Sequence, residues 1–227
     1  MNDFIRIDNL LKTYRKEGQI IRALEIEELA LAQEGIVLVR GKSGAGKTTL
    51  LNMIGLLDRP TSGKVMINGE DTSGIDENKK NQLRKEKFGF IFQAFNLIPT
   101  LTVQENILLP LLPAKLNMEK IREVDSLLER VGLAERKKHL PAELSQGEQQ
   151  RVAIVRALIN NPQAILADEP TSNLDPENTK IILDLLLGIR EERKLLLMVA
   201  SNDMGFLRDE PHREIRLEEG KLKLTDE

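Results

Sequence analysis

The stretch of this sequence whose residue types and spacing could do chemistry is GKSGAGKT, at residues 41–48. Its glycines let the backbone adopt positive φ and bring successive N–H groups close to one anion. Lys47 could then reach the β- and γ-phosphates of a nucleotide, and the Thr48 hydroxyl could ligate Mg²⁺. A glycine-bearing turn beside a surface lysine is the alternative, but every fixed position of the phosphate-loop pattern is filled. The predicted phosphate-binding residues are Gly41, Ser43, Gly44, Ala45, Gly46, Lys47, Thr48 and Thr49.

Two neighbouring acids, Asp168 and Glu169, follow the apolar run at residues 164–167. The carboxyl ends of parallel strands present side chains to a ligand crevice. There the first carboxylate suits Mg²⁺, and the second is placed to polarise an attacking water. Simple surface termination of a strand is the alternative. Because a phosphate loop lies upstream in the same chain, we favour the metal and catalytic roles.

A second helix start carries the residues of an anion site. Ser145 and Glu148 have the spacing of a capping box, which by itself is a sufficient structural explanation. An exposed, capped helix start with a glycine, here Gly147, also attracts anions. One triphosphate does not need two such sites. The second site could therefore serve the nucleotide bound to another copy of the protein.

The elements that position these residues are predicted from apolar periodicity. A strand at residues 36–39 precedes the phosphate loop and a helix follows it. Three short strand-like runs, at 5–7, 20–21 and 24–26, are broken by a turn at 16–18. Further strands are predicted at 64–69, 88–92, 164–167, 195–200, 214–217 and 221–224, helices within 103–160 and at about 177–191, and a solvated loop with a short exposed helix at 71–87. The predicted fold class is α/β, with a parallel sheet, an antiparallel β region near the N-terminus and a helical subdomain.

The composition excludes several classes of protein. The chain has 227 residues, 41% of them hydrophobic, which fits a globular fold with a substantial core. Its net charge of −3 argues against nucleic acid as a partner. There is no cysteine for disulfides or thiolate metal sites, and His139 and His212 are too few for a multi-histidine centre. With no span-length apolar run and no signal-peptide pattern, we expect a cytoplasmic protein whose partner supplies any membrane span.

Taken together, the motifs resemble those of ATP-binding cassette (ABC) transporter nucleotide-binding subunits over nearly the whole chain. Residues 41–48 match the Walker A loop, 165–169 the Walker B strand, and 144–148 the signature, which usually reads LSGGQ. The resemblance implies a P-loop NTPase core and ATP and Mg²⁺ as cofactors. It also implies a single ABC ATPase domain over 1–227, with an ATP-binding core at 1–93 and 161–227 and a helical signature subdomain at 94–160.

The resemblance also assigns roles to single residues. Gln93 corresponds to the Q-loop glutamine, which joins the catalytic and Mg²⁺ site to a transmembrane partner. Tyr14 stands where an aromatic residue stacks on adenine, and Asp175 ends the D-loop. The implied metal ligands are Thr48, Gln93 and Asp168, the implied catalytic residues Glu169, Gln93 and Asn202, and the implied nucleotide contacts outside the loop Tyr14, Ser145, Gly147 and Asp175. Residues 88–93, 101–106 and 167–175 look most like the lipoprotein-releasing, macrolide-export and antimicrobial-peptide-resistance branch.

The chain departs from the family pattern at two places. In the signature, Gln146 replaces a glycine, which would strain the backbone if that position needed positive φ. Asn202 stands where the family has a switch histidine and can hydrogen-bond a γ-phosphate or water, but it carries no positive charge. ATP binding is therefore expected with slow hydrolysis.

The implied function is an ATPase subunit that dimerises head-to-tail on MgATP and drives a transmembrane permease at the inner face of the cell membrane. A second possibility is an ATP-gated dimerising regulatory protein with vestigial hydrolysis, favoured by Asn202 and opposed by Glu169. A third is a soluble ABC protein of DNA repair or translation. Proteins of that third class usually carry long inserts or two cassettes in one chain, and this sequence has neither.

Overall fold

The computed structural model describes residues 3–112, 118–202, 207 and 210–223. Its strands are β1 (Ile5–Lys16), β2 (Gln19–Leu31), β3 (Gly35–Arg40), β4 (Ser62–Ile67), β5 (Glu70–Asp71), β6 (Phe88–Ile91), β7 (Ala164–Asp168), β8 (Leu196–Ala200), β9 (Arg213–Glu218) and β10 (Lys221–Lys223). Its helices are α1 (Lys47–Ile54), α2 (Glu77–Lys87), α3 (Val103–Leu108), α4 (Met118–Arg130), α5 (Gln146–Leu158) and α6 (Pro176–Arg193). Short 3₁₀ turns cover Leu109–Leu111, Ala134–Arg136 and Pro141–Glu143. Within these ranges no helix combines the length and apolar character needed to cross a bilayer.

The named strands form one sheet in the order β5-β4-β1-β2-β10-β9-β3-β8-β7-β6. The half from β9 to β6 is parallel throughout. Leu166 and Met198 face the apolar cluster that contains α1, whereas Ile165 and Leu197 face the cluster that contains α5 and α6. Because helices cover both faces, β3, β6, β7 and β8 are apolar at nearly every position, whereas β9 carries charged residues at four of its six positions. The predicted parallel core is confirmed.

The carboxyl ends of β3, β7 and β8 meet at one edge of the sheet. Val39 lies opposite Ala200, and Ala200 lies opposite Asp168. The loop after β3, the acids that end β7 and the segment after β8 therefore emerge side by side. This register brings together groups that are far apart in sequence.

The N-terminal β region is antiparallel, as predicted, but it is built from longer strands. β1 and β2 pair along their lengths across a bulge at Lys12 and Thr13, and β4 pairs with the other side of β1. Glu17 and Gly18, both at positive φ, form the two-residue turn between them. The prediction of separate runs at 20–21 and 24–26 is wrong, because both runs pair with β1 as parts of one strand, and only the bulge at Ala23 interrupts the register between them.

The segment between β6 and β7 is helical and has its own apolar cluster. α3, α4 and α5 contribute to it, with fully buried side chains that include Val103, Ile107, Val124, Leu128 and Val155. α4 buries one apolar face, at Val124, Leu127 and Leu128. The α/β fold with a helical region is therefore confirmed. The last predicted strand reaches Leu224, which lies outside the described residues.

Candidate nucleotide-binding site

The glycine-rich loop between β3 and α1 approaches neighbouring backbone too closely for a side chain. Gly46, at φ 103°, caps α1. A Cβ on Gly46 would lie 2.6 Å from the carbonyl oxygen of Ala23. Gly44 also has positive φ, at 81°. The loop is braced because the Ala45 N–H donates to Lys42 and the Ala45 carbonyl accepts from the Gly220 N–H. The start of α1 therefore faces the open side of a fixed loop, where an anion is favoured.

Lys47 is buried at the first turn of α1 and folds back over the loop. Its Nζ donates to the Gly41 carbonyl at 2.9 Å and to Asn202 Oδ1 at 2.8 Å. Glu169 Oε1 lies 3.6 Å from the same nitrogen. The Lys47 side chain is thus 7% exposed and its ammonium group is surrounded by acceptors, so a phosphate that bound here would have to replace some of these contacts.

Thr48 and Asp168 form an oxygen cluster next to Lys47. The Thr48 hydroxyl donates to Asp168 Oδ2 at 2.7 Å. Asp168 Oδ1 is buried and has no hydrogen-bond partner among the described residues. A buried carboxylate oxygen normally has a partner, and hydroxyl and carboxylate oxygens are the donors that Mg²⁺ prefers. The residues present therefore fit a magnesium ion.

Glu169 sits in a strained backbone conformation at the end of β7. Its φ is 48°, which non-glycine residues rarely adopt. Its N–H donates to the Ala200 carbonyl at 2.9 Å, and its own carbonyl accepts from Ser172 N–H and Oγ. Its carboxylate faces the Asn202 N–H, with Oε2 at 3.4 Å from the nitrogen. Strain of this kind persists where surrounding structure holds it, and it is common at active sites.

A cleft of about 680 Å³ lies in front of these groups. Ten predicted site residues line it: Ser43, Gly44, Gly46, Lys47, Thr48, Thr49, Gln93, Asp168, Glu169 and Asn202. The other predicted residues do not form part of its wall: Tyr14, Gly41, Ala45, Ser145, Gly147 and Asp175. Gly41 and Ala45 belong to the same loop, and Gly41 supplies the carbonyl that Lys47 contacts.

Gln93 enters the cleft from the segment after β6, and that segment is held from two sides. The Gln93 carbonyl accepts from Asn173 Nδ2 at 3.1 Å. Arg156 on α5 donates to the carbonyls of Phe95 and Asn96 at 2.6 and 2.5 Å. These two bonds tie the helical region to the Gln93 segment, and burial of the guanidinium lowers the pKa of Arg156.

Sequence analysis missed the part of the cleft wall formed by β2, which consists of Ile21, Arg22 and Ala23. Ile21 is 46% exposed and pairs with Tyr14 across the hairpin, so both side chains lie on one face. Tyr14 donates to Asp58 Oδ2 at 2.8 Å. Burial and this bond raise the pKa of Tyr14. The signal available in the sequence was the pair of adjacent isoleucines, Ile20 and Ile21, just after the turn at 16–18.

The predicted second anion site is a well-formed helix start. Ser145 caps α5: Glu148 N–H donates to Ser145 Oγ, and Ser145 N–H donates to Glu148 Oε2. The latter bond lowers the pKa of Glu148. Gln146 is the first helical residue and is not among the described residues with positive φ, so the expected strain there is absent. A Cβ on Gly147 would lie 2.3 Å from Asn178 Oδ1, so a side chain at this position would require the Asn178 side chain to move.

Asp175 caps α6 beside this helix start. Its carboxylate accepts from the Asn178 N–H at 2.8 Å and from Asn178 Nδ2 at 2.7 Å. These bonds, the backbone bond first, lower the pKa of Asp175. Because Gly147 also approaches Asn178, the starts of α5 and α6 lie in contact.

Comparison with known proteins agrees with this geometry. The family model described as "ABC transporter" matches residues 24–172. The lipoprotein-releasing system ATP-binding protein LolD 1 of Rhodopirellula baltica is 40% identical over 217 residues, which covers 95% of this chain and 94% of that protein. The uncharacterized ABC transporter ATP-binding protein MJ0796 of Methanocaldococcus jannaschii is 42% identical over 209 residues, 90% of this chain and 89% of that one.

A solved structure of MJ0796 has the same fold. It is a dimeric post-hydrolysis state bound to ADP and Pi. It matches this chain with a TM-score of 0.86 and 38% identity, over 98% of both chains. The family match and the fold together confirm the resemblance found in the sequence. This chain belongs to the ABC transporter family and is one of its ATP-binding ATPase chains.

Proposed function

We propose that the chain binds MgATP in the cleft and hydrolyses it, with Glu169 as the base. The observation that carries this proposal is the Thr48–Asp168 pair, at 2.7 Å, with a buried oxygen of Asp168 left without a described partner. It lies beside Lys47 and Glu169, so a cation site, a phosphate site and a base share one edge of the sheet. Hydrolysis needs these three groups at one place.

Each residue has a separate role in hydrolysis. Loop N–H groups and Lys47 hold the β- and γ-phosphates. Thr48, Asp168 and Gln93 would hold Mg²⁺, which neutralises phosphate charge when bound. The Glu169 carboxylate orients a water and takes its proton while the water oxygen bonds to the γ-phosphorus. The bond from the γ-phosphorus to the β-phosphate oxygen breaks, and ADP and phosphate are the products.

The nucleobase is assigned to the end of the cleft nearest the β1–β2 hairpin. Tyr14 and Ile21 are paired across that hairpin, and Ile21 lines the cleft. An aromatic ring and a branched side chain on one face suit a flat, apolar ligand surface. Both residues are partly exposed, so they are available to contact a base.

The active unit is proposed to be a head-to-tail dimer in which Ser145 and Gly147 contact the ATP of the other copy. In one chain these residues stand outside the cleft wall, although the capped start of α5 is an anion site. Asp175 at the neighbouring start of α6 belongs to the same proposed interface. The MJ0796 structures are dimeric, which supports a dimer here.

The dimer is proposed to drive a transmembrane permease from the inner face of the cell membrane. Several similar proteins are named for a lipoprotein-releasing system, which supports this branch of the family. In the proposed domain organisation, residues 1–93 and 161–227 form the ATP-binding core and residues 94–160 form the helical signature subdomain. The separate apolar cluster of α3, α4 and α5 supports that division.

An ATP-gated dimerising regulatory protein with vestigial hydrolysis is the second candidate. The observation that favours it is Asn202, which stands where a charged switch residue is expected and whose Oδ1 instead accepts from Lys47. Turnover at saturating MgATP separates the two functions, because a regulatory protein needs closure without repeated hydrolysis.

Replacing Lys47 with alanine tests nucleotide binding. Loss of its charge-assisted contact costs about 1.5–3 kcal/mol, so we expect ATP affinity to fall about tenfold or more by calorimetry. Lys42→Ala is the matched control, since Lys42 is an exposed lysine of the same loop. Equal affinities for the two variants would refute the assignment of the phosphate site.

A further inference from the structure

Gln150 on α5 is a fully buried polar side chain that makes one side-chain hydrogen bond to the described residues. It is 0% exposed, and its Nε2 donates to the Pro170 carbonyl at 2.6 Å. Its Oε1 is also buried and has no hydrogen-bond partner among the described residues. Burying an amide oxygen without a partner is costly, and an apolar side chain of similar size would avoid that cost. The amide is therefore present for the bond that its nitrogen donates.

The acceptor of that bond is the carbonyl of Pro170, the residue that follows Glu169. Pro170 has no N–H, so its backbone can be held only through its carbonyl and its packing. Glu169 itself has φ 48° and needs support from its surroundings. The Glu169 N–H donates to the Ala200 carbonyl, and the Glu169 carbonyl accepts from Ser172. The Gln150 bond fixes the next carbonyl in the chain and is the one that comes from the helical region.

We propose that Gln150 is a positioning residue for Glu169, acting through the Pro170 carbonyl. The bond keeps the strained Glu169–Pro170 segment in place, so that the Glu169 carboxylate faces Lys47 and Asn202. Gln150 does not touch the reacting atoms. The inference rests on the proposed role of Glu169 as the base.

The bond also joins two parts of one chain that have separate proposed roles, the signature helix α5 and the segment that carries Glu169. Gln150 lies on α5, whose first residue follows the Ser145 cap. A rigid helix therefore runs from the proposed contact with the other copy's ATP to the segment that carries the base. A displacement of this helix would reach Glu169 through the Gln150 bond.

The test is Gln150→Leu, which keeps the volume and removes the donor. We expect kcat for phosphate release to fall about ten- to a hundredfold, as misplacement of a catalytic group does. ATP affinity by calorimetry should stay within about twofold, because the loop residues that hold phosphate are untouched. Gln150→Met is the second variant and is used if the Gln150→Leu protein does not fold. The flexible apolar methionine side chain can fill the same space without donating a hydrogen bond.

Asn160→Leu is the matched control, just beyond the C-terminal end of α5. Asn160 also donates its side-chain Nδ2 to a proline carbonyl, that of Pro110, at 3.5 Å. We expect its kcat to stay within about twofold of wild type, because neither Asn160 nor Pro110 lines the cleft or belongs to the signature. An equal fall in kcat for both amide variants would mean a general effect on this part of the fold and would overturn the proposal.

A double variant separates this inference from the proposed function. In a Glu169→Gln background, Gln150→Leu should lower the residual rate no further, because its effect passes through Glu169. A further fall of full size would overturn the positioning role. Full turnover by Glu169→Gln alone would instead remove the proposed base. Loss of turnover in Glu169→Gln with unchanged kcat in Gln150→Leu would leave the function and reject the inference.

Discussion

Asn202 contacts Lys47, the lysine proposed to bind phosphate, through the oxygen of its amide. Lys47 can only donate, so the atom that faces it at 2.8 Å is the acceptor oxygen of Asn202. A protonated histidine could not accept from Lys47 and would repel it. The asparagine therefore holds the lysine at the edge between β3 and β8, next to Glu169.

We predict that Asn202→His raises kcat with little change in ATP affinity. A histidine can carry positive charge as the bond to the β-phosphate breaks, whereas the amide is neutral. Loss of one preorganised group that stabilises transition-state charge typically costs about 2.7–4 kcal/mol of activation free energy. A neutral amide recovers part of that stabilisation, so we expect the gain from histidine to be smaller. Steady-state phosphate release at saturating MgATP measures the difference. An equal or slower rate would mean that Asn202 is already a competent switch or does not face the γ-phosphate.

Asp58 is one of the groups that shift the pKa of Tyr14, the single tyrosine in a chain without tryptophan. Burial, then the bond to Asp58 and its charge, raise the pKa of Tyr14. Stability from this shift is present below the ordinary pKa of tyrosine and is lost as pH rises through the raised value.

We predict that Asp58→Asn lowers the pKa of Tyr14, because the carboxylate charge that opposes ionisation is gone. The absorbance of the tyrosinate measures it directly, since no other residue contributes that band. Asp71→Asn is the control, as Asp71 is bonded to Ser73 and not to the phenol. An unchanged titration would show that burial alone sets the shift.

At the scale of elements, sequence predicted what depends on local pattern. β3, β7 and β8 are apolar at nearly every position, and the loop chemistry of residues 41–48 is local. The sequence prediction split β2 into two runs because Arg22 and Ala23 interrupt its larger apolar residues. The first four residues of β2 are exposed, and pairing with β1 is what makes them part of the strand. The Lys47–Asn202 and Gln150–Pro170 bonds join distant residues, so no local pattern could reveal them.

The capping boxes of α3 and α5 allow an element-scale prediction. Thr102 with Glu105 and Ser145 with Glu148 make the same reciprocal bonds. Ser145→Ala and Thr102→Ala should each lower stability by about 1 kcal/mol, by thermal or denaturant unfolding. Only Ser145→Ala should weaken ATP-dependent dimerisation, because only α5 is proposed to contact the second nucleotide. Equal dimerisation by both variants would restrict Ser145 to a capping role.

At the scale of the molecule, the sheet joins two kinds of surface. The antiparallel hairpin bounds the end of the cleft that is proposed for the nucleobase. The parallel half presents Asp168 and Glu169, the proposed metal ligand and general base, at its carboxyl edge. The α5 start stands apart from the cleft of its own chain. In the proposed head-to-tail dimer each chain would therefore supply parts of two sites, and closure of two copies would complete both.

Glu169→Gln tests this scheme for the whole molecule. The amide keeps the size of the side chain but cannot take the proton of the attacking water, so turnover should be almost lost while MgATP still binds. Because closure would then not lead to reopening, the variant should accumulate as a dimer in size-exclusion chromatography with MgATP and remain monomeric without it. Glu129→Gln, at an exposed position on α4, is the control and should behave as wild type. Hydrolysis at the wild-type rate would exclude Glu169 as the base, and lost turnover without an ATP-dependent dimer would separate hydrolysis from closure.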